Sequence, residues 1–170
     1  MRLLTVGVLV LAGVGCRAGL PEAGALEAEW RGADRGQFAA KATAVHCPES
    51  GIVLLEGIRA DSGMALALFP SDPGVLAPGE YVVAAGNAVE VPRPGALAAF
   101  RAFNAAELRA WESYAGTVTL ATAGDRLDGG FQFRMRLTEG ADTLAMTGVL
   151  RSVPVVTDSI GCGMSLRRNF

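Results

Sequence analysis

The chain has 170 residues, 51% hydrophobic and 19% charged, a length and balance that suit one globular domain with a real core and argue against two. Its 15 basic residues, all Arg except Lys41, and its 17 acidic ones leave a formal charge of −2 and are scattered along the sequence. There is no basic stripe to hold nucleic acid and no acidic tail to gather cations, so neither is expected as a partner.

The first sixteen residues, MRLLTVGVLVLAGVGC, place Arg2 before a run of apolar and small residues over 3–15, interrupted only by Thr5. That run is shorter than the roughly 20 residues a membrane-spanning helix needs and has the length of a signal-peptide core. Export is the expectation, with a signal helix over 1–15. The ending Gly15-Cys16 resembles a bacterial lipoprotein signal. That resemblance implies that Cys16 becomes the lipidated first residue of the mature chain and holds it to a membrane of the cell envelope, in the periplasm or at the cell surface. Gly13 stands where such signals usually carry Leu or another aliphatic residue, so plain secretory cleavage, for example after Ala18, is the competing expectation. Residues 16–29, rich in Ala, Gly and Glu, read as a tether, and 30–170 as a single β domain with Trp30 docking at its edge.

A first strand is expected from Gln37, where Phe38, Ala40, Ala42 and Ala44 alternate with Gln37, Lys41 and Thr43 and lead to Cys47. Pro48-Glu49-Ser50-Gly51 turns the chain into an aliphatic strand over 52–60 that is apolar on both faces, as a strand buried on both sides would be. After Asp61-Ser62-Gly63, Met64, Leu66 and Leu68 alternate with Ala65 and Ala67 until Pro70, which cannot extend a ladder. A loop rich in Pro and Gly over 71–78 precedes another strand entry at Gly79-Glu80-Tyr81-Val82-Val83. Over 92–114, Ala, Leu, Glu and Arg favour helix, and Leu97, Phe100, Arg101, Asn104 and Leu108 fall at helical spacings. Phe100 and Ala102 also alternate with Ala99, Arg101 and Phe103, and Ala is abundant in the other strands. The expectation is a strand over 97–103, then a short helical or irregular connection.

The clearest pattern covers 113–153. Phe131, Phe133, Met135 and Leu137 share one face against Gln132, Arg134, Arg136 and Thr138, with Val118 and Leu120 before them and Leu144, Met146 and Leu150 after. Turn residues in Ala123-Gly124-Asp125-Arg126 and Glu139-Gly140-Ala141-Asp142 separate the three runs, which predicts an antiparallel meander. The order LALFPSDPGVLAPGEYVV, AGTVTL, LDGGFQFRMRL and LAMTGVLRSVPV, with a cysteine shortly after, resembles small uncharacterised bacterial lipoproteins whose domains repeat PGxY, SGTVT and GxFxF strands. Here Gly148-Val149-Leu150 lacks the usual Phe. The resemblance implies an all-β domain on a lipid tether and brings no activity or catalytic residue with it. Pattern and resemblance together predict an antiparallel β-sandwich or barrel of about eight strands.

With Cys16 lipidated or removed, Cys47 and Cys162 remain, and two thiols in an oxidising compartment are expected to pair. The competing reading is a metal site of His46, Cys47, Glu49 and Cys162, but one His and no CxxC leave few ligands to complete a tetrahedron. Nucleophilic hydrolysis needs a base, and His46, the only imidazole, precedes a cysteine expected to be oxidised. The carboxylates Glu49, Glu56, Asp61, Asp125, Asp128 and Asp142 sit mostly at turns or strand ends, where solvation accounts for them. Met64, Met135, Met146 and Met164 read as core filler. There is no phosphate loop, dinucleotide fingerprint or HExxH, so no enzyme and no cofactor are expected. Two functional readings follow. One is a non-catalytic, lipid-anchored envelope protein of structural or interaction role. The other is a barrel-type carrier holding a small apolar molecule among Leu120, Phe131, Phe133, Met135 and Leu144.

Overall fold

Among the described residues, alternation of inward apolar and outward polar residues builds nine strands: β1 Gly24–Gly32, β2 Arg35–Cys47, β3 Ile52–Arg59, β4 Ser62–Phe69, β5 Gly79–Val83, β6 Gly95–Phe103, β7 Leu108–Thr122, β8 Arg126–Leu137 and β9 Thr143–Thr157. The computed structural model describes residues 22–73, 75–103, 107–158 and 162. The strands form one sheet that closes on itself in the order β1-β2-β3-β4-β6-β5-β7-β8-β9, consistent with the all-β sandwich or barrel the sequence predicts, with nine strands where about eight are expected.

Two strands are too short to span the barrel. β1 pairs β2 from Gly24↔Ala42 to Arg31↔Arg35 and β9 from Ala25↔Arg151 to Gly32↔Leu144. Beyond Gly24, β9 pairs β2 directly and in parallel, from Ala44↔Val155 to His46↔Thr157. On the opposite wall β5 lies between β6 and β7 at the end where the chain enters, and β6 pairs β7 directly at the other end. Each end of the ring thus lacks one of the nine strands, so eight cross either end. Eight strands leave an interior that side chains can fill.

The interior is one continuous buried cluster. Phe100 sits at its centre near the far end, with its ring centroid 4.9 Å from Trp30, 5.9 Å from Phe38 and 5.6 Å from Trp111. Phe131 and Phe133 stack at 4.7 Å. The Phe131 ring is admitted by Gly148, its register partner on β9, where a Cβ would run into that ring and into the Glu27 carbonyl. At the entry end the 70–78 loop folds over the opening: Leu76 packs on the core, and the buried Tyr81 donates its hydroxyl to the Ala77 carbonyl at 2.8 Å. Burial raises the Tyr81 pKa above its ordinary value of 10.0, and the Ala77 bond offsets part of that rise.

The meander appears as β7-β8-β9, with Val118, Leu120, Phe131, Phe133, Met135, Leu144, Met146 and Leu150 inward and buried. The doubly apolar strand is β3: Val53 and Leu55 join the interior, while Ile52 and Leu54 join a second cluster on the outside of the wall. β6 includes the expected 97–103 strand. Two boundaries differ from expectation. Residues 24–29, assigned to the tether, belong to β1, because Leu26 and Ala28 enter the core while Glu27 and Glu29 point outward. The connection after β6 is shorter than expected, because β7 starts at Leu108; burying Trp111 and Ser113 inside the ring overrides the helix propensity of that stretch. The signal helix, Cys16 and Met164 lie outside the described residues.

Gly148→Ala is expected to destabilise the domain by about 2 kcal/mol through overpacking at Phe131, read as a lower urea midpoint at unchanged slope. Tyr81 supplies a second test. Its raised pKa means that the unfolded chain ionises first, so its contribution is complete below pH 10 and is lost as the pH rises through the folded value. Tyr81→Phe should lose about 1 kcal/mol at neutral pH and show a smaller decline than the unsubstituted protein as the pH rises above 10. Equal alkaline declines in the two proteins would be the contrary result.

Candidate functional site

Cys47 closes β2, and its sulfur lies 2.01 Å from that of Cys162, with the Cα atoms 5.7 Å apart and 115 residues between them in sequence. The cystine forms part of the outer apolar cluster, with Ile52, Leu54, Ala67 and Leu97 buried beneath it and Phe69, Ala84 and Val91 packed alongside. The 84–94 loop is held down from both sides. Ser113, fully buried, donates its Oγ to the Ala84 carbonyl at 3.2 Å and accepts the Ala98 N–H at 3.0 Å, and Arg93 donates to the Pro70 carbonyl at 3.1 Å. Two of the four ligands of the competing metal reading are therefore in a disulfide. The described residues contain no group of three His, Cys, Asp or Glu side chains able to hold a metal ion. His46 lies next to the cystine with Nε2 buried and, among the described residues, without a hydrogen-bond partner.

Of the candidate carboxylates, Glu56 and Asp61 line one groove on the outer wall, and Glu49, Asp125, Asp128 and Asp142 do not line it. Asp128 accepts the Ser152 N–H at 2.8 Å, where β9 bulges and Ser152 takes a φ of 48°. Arg126 donates to the Ser152 carbonyl at 2.8 Å and completes that clamp. Asp142 receives Arg109 at 2.8 Å across the far mouth of the barrel. Asp61 and Asp125 accept backbone N–H groups through their carbonyls, from Phe103 at 2.7 Å and Val155 at 2.8 Å. Glu49 is exposed in the turn after β2.

Sequence reasoning missed the arrangement around Arg109. Its guanidinium lies 4.9 Å over the Trp111 ring and also reaches Asp34 at 3.4 Å, while the Trp30 indole donates to Asp34 at 2.6 Å. These residues come from β1, β7 and two turns, separated in sequence by 75 and 33 positions, and only closure of the ring brings them together. Their chemistry closes a mouth: a partly exposed cation shared by two carboxylates and laid on an aromatic face. Trp111 Nε1 is buried below it without a hydrogen-bond partner among the described residues.

Sequence reasoning also missed a groove of about 190 Å³ on the outer wall. Gly63, Ala65 and Ala99 form its floor, Ile58 and Phe103 its apolar walls, and Glu56 and Arg101 contribute charge. The register explains it, since Gly63 stands between Ile58 on β3 and Arg101 on β6 and leaves the space above β4 open. The groove continues the strip whose other half the cystine and the 84–94 loop cover. No protein family, curated protein or solved structure matches this chain.

The disulfide closes a loop long enough to be worth up to about 4–5 kcal/mol by chain entropy. A Cys47→Ala, Cys162→Ala double variant is expected to keep the barrel's circular dichroism and to unfold at a much lower denaturant concentration. Titration of the unfolded chain should find neither residue as a free thiol before reduction.

Proposed function

We propose that this is a non-catalytic exported protein of the cell envelope, a β domain held to a membrane by lipid on Cys16 and serving a structural or interaction role. The observation that carries the reading is the apolar run over 3–15 that ends in Gly15-Cys16, followed by a domain whose other two cysteines form a disulfide. Such pairing suits an oxidising compartment. The geometry fits a tether. The chain enters β1 at Gly24 on the end of the barrel that also holds Cys47, opposite the Arg109 mouth. The seven residues between Cys16 and Gly24 reach at most about 25 Å, so a lipid on Cys16 would hold the entry end near the membrane.

The carrier reading requires space among Leu120, Phe131, Phe133, Met135 and Leu144. Those side chains are 0–4% exposed and belong to one buried cluster, and this supports the non-carrier reading.

Intact mass of the protein from a membrane fraction, reduced and unreduced, tests anchoring, cleavage site and disulfide together. The expected mass begins at Cys16 with added acyl chains and rises by two protons on reduction; Cys16→Ser should move the protein to the soluble fraction. A mass beginning at Gly19 without lipid would establish plain secretory cleavage instead.

A further inference from the structure

The ring gathers arginines that the sequence scatters. Arg31 and Arg35 are register partners across β1 and β2, and on its other side Arg31 faces Ala145 of β9, whose partner on β8 is Arg134. One row of the outer wall therefore reads Arg35-Arg31-Ala145-Arg134, with every member exposed. Neighbouring strands lie about 4.8 Å apart, so Arg31 and Arg134 are rooted about 10 Å from each other on either side of a methyl group. Like charges directly opposed across a strand pair repel. Elsewhere such cations are answered within the chain: Arg109 holds Asp34 and Asp142, and Arg151 holds Glu27. The guanidiniums of Arg31, Arg35 and Arg134 make no ion pair or hydrogen bond with any described residue. A hollow of about 400 Å³ lies against the Arg31–Arg35 pair, with Trp30, Gly36, Gln37 and the carboxylate of Glu29 on its walls. Glu29 makes no ion pair among the described residues either, and three cations beside one carboxylate leave the row positive.

We propose that Arg31, Arg35 and Arg134 close on the phosphate group of a soluble phosphate monoester, held above Ala145. Charge and shape select this ligand. Three guanidiniums that each donate paired N–H groups need an anion with at least three acceptor oxygens; a phosphate monoester supplies them with a charge near −2, whereas a carboxylate has two oxygens and a single charge. The row is also one residue deep. Toward the entry end the next outward row is Gln37, Glu29, Thr147 and Gln132, and toward the far end Arg136 already donates to Asn87 at 3.1 Å. That arrangement suits one compact anion and not a polyanion laid along the wall. Ala145 leaves the space above the row open, so the long side chains on either side of it can converge there. The inference rests on strand register and is independent of lipid anchoring.

Calorimetric titration with glycerol 3-phosphate at constant ionic strength tests it, in the full chain carrying Cys16→Ser so that no acyl group is present. One saturable site is expected, and Arg31→Gln, Arg35→Gln and Arg134→Gln should each weaken it about tenfold. Ala145→Glu, at an exposed position, should abolish binding by setting a carboxylate among the guanidiniums. Arg136→Gln removes a charge from the same wall outside the row and should leave the affinity within about twofold of the starting value. The proposal is overturned by absence of saturable binding, by row substitutions that do not weaken it, or by Arg136→Gln weakening it equally. Binding to phosphatidylglycerol vesicles without binding of glycerol 3-phosphate would also overturn it and make the row a membrane contact.

Discussion

A barrel wall tolerates no unpaired strand edge, and this fold meets that requirement with two strands that each span only half the wall. Where β1 stops, the N–H and carbonyl groups of β2 and β9 would face nothing; instead the two strands turn toward each other and pair in parallel. To do so β9 must change neighbours partway along its length. The bulge at Ser152 supplies the bend, and Arg126 and Asp128 fix it by bonding the displaced backbone. β5 fills the matching gap on the opposite wall. Keeping eight strands at either end holds the interior to a width that Phe100, Trp111, Phe131 and Phe133 can fill.

That requirement also explains why the outer wall has a core of its own. β3, β4 and β6 are the aliphatic strands, and their outward residues, Leu54, Ala67 and Leu97, are as apolar as the inward ones. The chain covers them with the 84–94 loop, tied to the wall through the buried Ser113, and with Cys162. The disulfide therefore lies outside the ring and clamps the cover of the second cluster. The interior has its own closures, Tyr81 and Leu76 at one end and Trp30 with Arg109 at the other.

Strands without irregularities were legible from the sequence. The Phe131–Met135 row, the two-faced β3 and the Cys47–Cys162 pair follow from alternation and from cysteine arithmetic. β7 was legible only in part because its bulge at 113–115 inserts a residue, so the inward set passes from Trp111 and Ser113 to Val118 and Leu120 with a change of parity. A period-two reading that starts at Val118 loses phase before it reaches Trp111. The first strand did carry its signal, with Leu26, Ala28 and Trp30 alternating against Glu27 and Glu29, but in a chain so rich in Ala and Gly that composition suggested a tether. The Arg109 cluster and the groove had no local signal, because each depends on which strands become neighbours once the ring closes.

These placements give the molecule two unlike ends and one unlike side. Chain entry and cystine share one end, and the charged Arg109 mouth occupies the other. A domain tethered at the entry end would present that mouth outward, yet the mouth is already satisfied within the chain: both carboxylates hold the same guanidinium, and the guanidinium rests on Trp111. An approaching partner would have to break those contacts to use their charge. The side wall is different, since around Gly63 the small floor and the exposed Ile58 and Phe103 leave apolar surface in contact with water, where covering it releases free energy in proportion to the area removed. In a domain with filled ends and no strand edge, surface chemistry directs apolar contacts to the flank of β3, β4 and β6.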